Sequence, residues 1–213
     1  FLTFNIINHI HELAENDSSK VPDDASVAYF FFRDNDAKTQ SVQQALHDIA
    51  YQLTQSSPVY AKHLVAKSYS PGQIASLRTS WSALFVDYWL GNGCADIAYL
   101  FLDGLDESFP AEREVLFQLL KDFQDAGDDS RLRIALLGRP QVIDELVVAL
   151  EDDPPMIHVD SLKNGADIAH YIETSITKSR FLNNLVKMLR DTIIENLTQK
   201  AGGARSCGRR HRS

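Results

Sequence analysis

The stretch Ile97-Ala98-Tyr99-Leu100-Phe101-Leu102 is an unbroken apolar run, and it ends abruptly on Asp103. A run of six such residues suits a strand covered on both faces, as in the interior of a parallel sheet. Such a strand would deliver the Asp103 carboxylate to the rim where open α/β sheets bind their ligands. Gly104 gives the chain a sharp exit, and Asp106 and Glu107 add two acids within four residues of the first. The spacing excludes two common acidic motifs. Two residues separate Asp103 from Asp106, so this is not the Asp-x-Asp of phosphoaspartate chemistry. It is also not an EF-hand loop, which needs oxygen ligands at alternate positions and a Glu at the twelfth.

Two further runs share the strand signature. Val27 to Phe32 is continuous, aromatic and too short for a helix, with Arg33-Asp34-Asn35-Asp36 as its polar exit. Leu132 to Leu137 ends on Gly138-Arg139-Pro140. A shorter run, Met156 to Val159, predicts a fourth strand. Helical periodicity fills the intervals. Leu2, Ile6, Ile10 and Leu13, with Ile7 alongside, predict an amphipathic helix over 3–15, and the polar, Pro22-bearing segment 16–25 predicts a loop. Ser41 and Gln44 have capping-box spacing ahead of Val42, Ala45, Leu46, Ile49 and Leu53. Pro58 opens a short helix, and Pro71-Gly72 breaks the chain. Leu77, Trp81, Leu84, Phe85 and Tyr88 make one stripe, and Asn92-Gly93 turns the chain into the acidic strand. Pro110 can begin a helix with Val115, Leu119, Leu120 and Phe123 inward, closed by a turn at 127–130. Pro140 begins another, carrying Ile143, Leu146, Val147 and Leu150. Beyond the sheet, Asn164 can cap a helix with Ile168, Tyr171 and Ile172 inward, and Leu182, Leu185, Leu189, Ile193 and Leu197 mark a last long one.

Buried strands separated by helices define a three-layer α/β fold with a parallel sheet. The expected organisation is an α/β core over 1–162, the start of a helical element over 163–200, and a basic, disordered tail over 201–213.

The chain of 213 residues is 44% hydrophobic and 23% charged, the composition of an ordinary globular protein. A net charge of −8 argues against nucleic acid as a partner, because duplex binding leans on clustered Lys and Arg. Cys94 and Cys207 give no disulfide framework and fit a reducing, cytoplasmic compartment. His9 and His11 are two apart on a helix and so face different sides, which does not suit a metal pair. No apolar run approaches about 18 residues, so no membrane partner is expected.

A strand ending in acid is how nucleoside triphosphatases hold the magnesium of a bound nucleotide. The stretch 97–107 resembles the extended Walker B motif of NACHT-type STAND nucleoside triphosphatases, in particular the fungal type allied to the nephrocystin-3-like N-terminal region. The Phe-rich run at 27–33 resembles that family's second strand, and Leu132 to Pro140 resembles its sensor 1 strand. Ile157 to Val159, Asn164, Asp167-Ile168 and Tyr171-Ile172 resemble its passage from the sheet into a helical lid. The similarity runs in the family's order over residues 1–203.

The resemblance implies that Asp103 orders the magnesium of Mg-ATP or Mg-GTP, and that Asp106 polarises the attacking water with Glu107 as neighbour or substitute. It implies that Arg139 contacts the terminal phosphate. It also implies that the family's Gly-x-x-x-x-Gly-Lys-Ser/Thr phosphate loop would lie immediately before Phe1, whose segment resembles the helix that follows the loop. The chain is then expected to be the incomplete core of a nucleotide-dependent signalling switch, inactive alone, with a non-catalytic interaction or decoy module as the alternative. An unrelated magnesium-dependent phosphotransferase fits the spacing poorly. After Lys200-Ala201-Gly202-Gly203 the sequence departs from the family, which continues with a bulky apolar segment. Without the loop strand, 27–32, 97–102 and 132–137 should form a contiguous parallel set with 97–102 central. The strand at 156–159 should lose its neighbour, leaving the chain prone to self-association.

Overall fold

A computed structural model describes residues 2–16, 25–90, 96–126, 131–152 and 154–158, together with 170, 172–176, 178, 187, 189, 191–194, 196 and 197. The chain divides into two compact units, Phe1–Pro154 and Pro155–Ser213. The first unit begins with α1 (Leu2–Asn16), followed by β1 (Ser26–Phe31), α2 (Ala37–Gln40), α3 (Val42–Ser56) and α4 (Pro58–Lys67). A 3-10 turn at Pro71–Ile74 leads to α5 (Leu77–Trp81), which passes through a π turn at Ser82–Val86 into α6 (Asp87–Trp89). Then come β2 (Ala98–Asp103), a 3-10 turn at Leu105–Glu107, α7 (Pro110–Asp125), β3 (Leu132–Leu137) and α8 (Pro140–Leu150).

The three strands form one parallel sheet in the order β1-β2-β3. The apolar runs anticipated the strands, and the resemblance implied their order, with the acidic strand in the middle. The register aligns Ala28, Leu100 and Ile134, then Phe30, Leu102 and Leu136, on one face. Ala28, Leu100 and Leu102 are almost wholly buried there. The face is covered by α3, whose Val42, Ala45, Leu46, Ile49, Ala50 and Leu53 all join the core, and by α7 through Leu116, Phe117, Leu119, Leu120 and Phe123. Side chains alternate along a strand, so Tyr99, Phe101 and Asp103 point the other way. Thr3 of α1 hydrogen-bonds Asp103, which brings the start of α1 to the carboxyl end of β2.

Boundaries moved by single residues for a physical reason. Asp103 is not the first residue past β2 but its last, paired with Phe31 and Leu137, and its carbonyl accepts the Phe32 amide at 2.8 Å. Hydrophobicity ends a residue before the ladder does. Among the described side chains of α1, Thr3 and Ile7 are buried and Ile6 and Ile10 of the expected stripe are half-buried; Leu2 and Leu13 lie outside the described side chains. The expected stripe Leu77, Trp81, Leu84, Phe85 and Tyr88 is buried throughout, but so is Trp89. The π turn rotates the last turn of the helix, so a period of 3.6 no longer describes it. Trp81 stacks on Phe85 at 5.1 Å and Phe85 on Trp89 at 6.1 Å.

The strand read at 156–159 is not found over its described part. Residues 154–158 have no regular structure, Ile157 is 89% exposed, and Val159 lies outside the described residues. Pro154 and Pro155 carry no N–H groups and so cannot donate to a ladder at the start of that run. Helix is present at 172–176 and 191–194, with Ile176 buried, but Leu189 and Leu197 of the expected inward stripe are half-exposed. Periodicity marks an apolar stripe; it does not supply the surface that covers it. The expectations at Asn92-Gly93, the 127–130 turn, Asn164, Ile168, Tyr171, Leu182, Leu185 and the 201–213 tail lie outside the described residues.

The aromatic end of this unit carries a titration. His63 on α4 meets Tyr88 edge-on at 5.0 Å, and its buried Nε2 has no hydrogen-bond partner. Burial, aided by Lys67 and partly opposed by Asp87, holds its pKa below the usual histidine range. A histidine that resists charging in the fold binds fewer protons there than in the unfolded chain. Stability is therefore complete above the unfolded pKa and is lost as pH falls through it towards the lowered folded value. Thermal unfolding followed from pH 7.5 to 5.5 should show a falling Tm, and His63→Gln should flatten that slope relative to the parent.

Candidate functional site

The carboxyl edge of β2 presents three acids, and each is drawn to a different neighbour. Asp103 accepts at Oδ2 from the Thr3 hydroxyl, 2.6 Å away, and Thr3 itself is fully buried. Directly beyond, Gly104 adopts φ 77° and ψ 33°, left-handed backbone that L side chains rarely take. A Cβ there would lie 3.0 Å from the Phe32 carbonyl oxygen. The turn is that tight because Phe32 continues the pairing past the end of β1.

The left-handed step throws the chain into the 3-10 turn. Leu105 drops into the core, and Glu107 N–H closes on the Gly104 carbonyl at 2.8 Å. Asp106 is thereby aimed at the exit of β3. Its Oδ2 lies 2.9 Å from Arg139 Nε, and its Oδ1 accepts the Arg139 backbone N–H at 3.2 Å. The Asp106 side chain is 14% exposed and that of Arg139 74%. Arg139 is the N-cap residue of α8, so Asp106 also places a negative charge at that helix's N-terminus, where the dipole favours one. Glu107 turns the other way and accepts the Asp34 N–H, at the exit of β1, at 3.0 Å.

Behind the turn the bonding is dense. Ser108, itself buried, donates to the Leu105 carbonyl at 2.6 Å, and Phe109 N–H reaches the Gln40 carbonyl at 3.0 Å. Glu112 accepts from the Ser41 hydroxyl and the Gln43 N–H, both at 3.0 Å, fastening α7 to the start of α3. Arg113 is 8% exposed and donates to the Leu105 and Ser108 carbonyls and to Glu145.

The structure thus brings Asp103, Asp106, Glu107 and Arg139 to one rim, with Asp106 and Arg139 in direct contact. It does not gather the three acids into a cage: among the described residues no group of three or more His, Cys, Asp or Glu is arranged to hold a metal ion. Thr3, Asp34 and Arg113 escaped the reading of the sequence. Thr3 and Asp34 are joined to the acids only through the fold and carry no local signal. Arg113 does carry one: it precedes Leu116 and Phe117 by three and four residues, which places a charge on a buried helical face.

In open α/β sheets ligands bind outside the carboxyl ends of the strands, and the three acids and Arg139 lie at that edge of this sheet. The family described as Nephrocystin 3, N-terminal matches residues 1–139, and the chain belongs to that family. The match takes in α1, all three strands and every rim residue up to Arg139. No curated protein and no solved structure matches the chain. Among the described residues, no helix is long and apolar enough to cross a membrane.

Gly104 is the backbone hinge of this rim. Gly104→Ala should cost about 1–3 kcal/mol from the left-handed backbone and the contact with Phe32. Chemical denaturation should record that loss as a lower midpoint, with an unchanged slope.

Proposed function

We propose that this chain carries half of a magnesium–nucleoside triphosphate site of the NACHT-type STAND class, on a sheet of P-loop NTPase type, within a nucleotide-dependent signalling switch. The observation that carries the reading is the pairing of two features on one rim. Asp103 ends the central strand with its carboxylate on a buried hydroxyl, and Arg139 reaches Asp106 across the exit of β3. The donor set suits the group: a carboxylate for a hard cation's waters, and a largely exposed guanidinium for a phosphate oxygen.

In this reading Asp103 takes up the charge of the magnesium shell, and Thr3 fixes the carboxylate's orientation. Arg139 neutralises charge on the terminal phosphate. Asp106 holds and polarises a water once Arg139 is drawn to phosphate, with Glu107 beside it. The bound Mg-ATP or Mg-GTP supplies the phosphoryl group and the metal. The described helical residues at 172–176 and 191–194 fall within 163–200, where the resemblance expects the beginning of a helical lid, and association with further copies is the expected output. A reducing, cytoplasmic setting fits two cysteines, Cys94 and Cys207, that give no disulfide framework.

Residues 1–213 contain no Gly-x-x-x-x-Gly-Lys-Ser/Thr. The lysine of that motif alone, about 4 Å from a unit phosphate charge at an effective dielectric near 20, contributes roughly 4 kcal/mol before desolvation. That is about a thousandfold in affinity. Calorimetric titration of the 213-residue chain with Mg-ATP should therefore give no isotherm in the micromolar range.

Fusing a strand and phosphate loop of this type ahead of Phe1 should restore binding. In that protein Asp103→Asn should lose metal-dependent turnover, and Asp106→Asn should spare binding while slowing hydrolysis at least tenfold. Micromolar binding by the unfused chain, or parental turnover by Asp106→Asn, contradicts these assignments; in the second case Glu107 becomes the base.

A second reading has its own support. Each rim acid already has a partner within the fold, and Asp106 serves the N-terminus of α8. An interaction or decoy module without nucleotide binding needs nothing more. A fused protein that folds yet ignores Mg-ATP and Mg-GTP would favour it.

A further inference from the structure

Arg113 takes no part in the roles above, yet it is the buried cation nearest them in the chain. It lies on the first turn of α7, on the side that faces the core, where the periodicity of Leu116, Phe117 and Leu120 calls for an apolar residue. Burying a guanidinium is costly unless its donors are satisfied. Here two of the five N–H donors go to the acidic turn and a third to α8. Nη1 donates to the Leu105 carbonyl at 3.3 Å and to the Ser108 carbonyl at 3.2 Å. Those two carbonyls bracket Asp106 and Glu107. Nη2 reaches Glu145 of α8 at 3.3 Å. The Glu145 side chain is 55% exposed, so water weakens that pair, and the backbone of the turn is the stronger partner.

We propose that Arg113 is the positioning residue of this site. It clamps the carbonyls on either side of Asp106-Glu107, and so holds Asp106 against Arg139 and Glu107 against the exit of β1. Through Glu145 it joins the turn to α8, the helix that Arg139 caps, so that the acid and the cation of the rim share one support. The assignment rests on the reading of Asp106 and Arg139 as site residues. A lysine cannot replace this arrangement, because its single ammonium cannot span both carbonyls and Glu145 in one plane.

The test uses the 213-residue chain with Arg113→Met, Arg113→Lys and Glu145→Gln, read by residue-resolved amide exchange and by the 15N signal of Arg139 Nε–H. In Arg113→Met the Glu107 and Ser108 amides should exchange about tenfold or more faster. The Leu100 and Leu102 amides of β2 should stay within about twofold of the parent. The Arg139 Nε–H signal should move to its position in Asp106→Asn. Arg113→Lys should fall between parent and Arg113→Met, and Glu145→Gln should leave the turn protected. Equal acceleration in the turn and in β2 would make Arg113 a general core residue and overturn the proposal. So would an unchanged turn with an unmoved Nε–H signal.

Should Arg113→Met fail to fold, Arg113→Lys decides by the same comparison. In the loop-fused protein, Arg113→Lys should lower kcat about tenfold with little change in Mg-ATP affinity; equal losses in both would count against positioning. None of the exchange readouts requires nucleotide. A fused protein that ignores Mg-ATP therefore sinks the nucleotide reading, while the exchange data still decide whether Arg113 sets the turn.

Discussion

The ladder that runs one residue beyond the apolar core sets the geometry of everything at the rim. Asp103 is gripped by its own backbone between Phe31 and Leu137, so the central acid has no freedom to move as a loop residue would. Phe32 extends the pairing once more and places a carbonyl oxygen where the next residue's side chain would go. The chain must leave through a residue without Cβ, in left-handed backbone, and Gly104 meets both conditions. From that point the directions of Leu105, Asp106 and Glu107 are settled by a single 3-10 turn. Leu105 goes down into the core, and the two acids part towards the exits of the neighbouring strands.

The rim above is soft and the support below is hard. The Asp106–Arg139 pair joins a shielded acid to a cation that is mostly in water, and exposed pairs of this kind contribute about 0–1 kcal/mol. An anion arriving at Arg139 competes with little. Underneath, Arg113, Ser108, the Gln40 carbonyl and Glu112 bind the same segment through buried or part-buried hydrogen bonds. Loss of a buried partner leaves a desolvated group unpaired, which costs more than the bond contributes net.

What was legible in the sequence were the features encoded by neighbours in the chain. Three apolar runs became three buried strands, and Pro110 and Pro140 stand at the first positions of α7 and α8. The cap at Ser41 is real, since its hydroxyl accepts the Gln44 N–H at 3.2 Å. The box is only half formed, because the Gln44 side chain turns to Asp48 instead. Features made by long-range pairing were not legible. The Thr3 hydroxyl meets Asp103 across a hundred residues of chain, and no local pattern distinguishes it from any other helical threonine. The π turn is equally silent, being set by how the Trp81, Phe85 and Trp89 rings stack.

A fourth acid is held differently from Asp106. Asp96 precedes β2 at the opposite end of the sheet, and its Oδ2 accepts from two neutral hydroxyls, those of Ser57 and Tyr88. Ser57 is also the N-cap of α4, where its oxygen takes the Tyr60 N–H at 3.0 Å, and Tyr60 in turn donates to the Leu84 carbonyl at 2.7 Å. This chain of bonds ties the start of the strand to α4 and to the aromatic cluster, using groups that stay neutral across the physiological range. Burial pushes the Tyr60 hydroxyl further above its usual pKa. Around Asp96, α4 and the aromatic cluster are held through the Ser57 and Tyr88 hydroxyls. Around Asp106 the partner is a guanidinium whose side chain is 74% exposed. Asp103, at the other end of the same strand, is held like Asp96 by a neutral hydroxyl, so the rim divides between Asp103 and Glu107, which accept from neutral donors, and Asp106, which faces a cation.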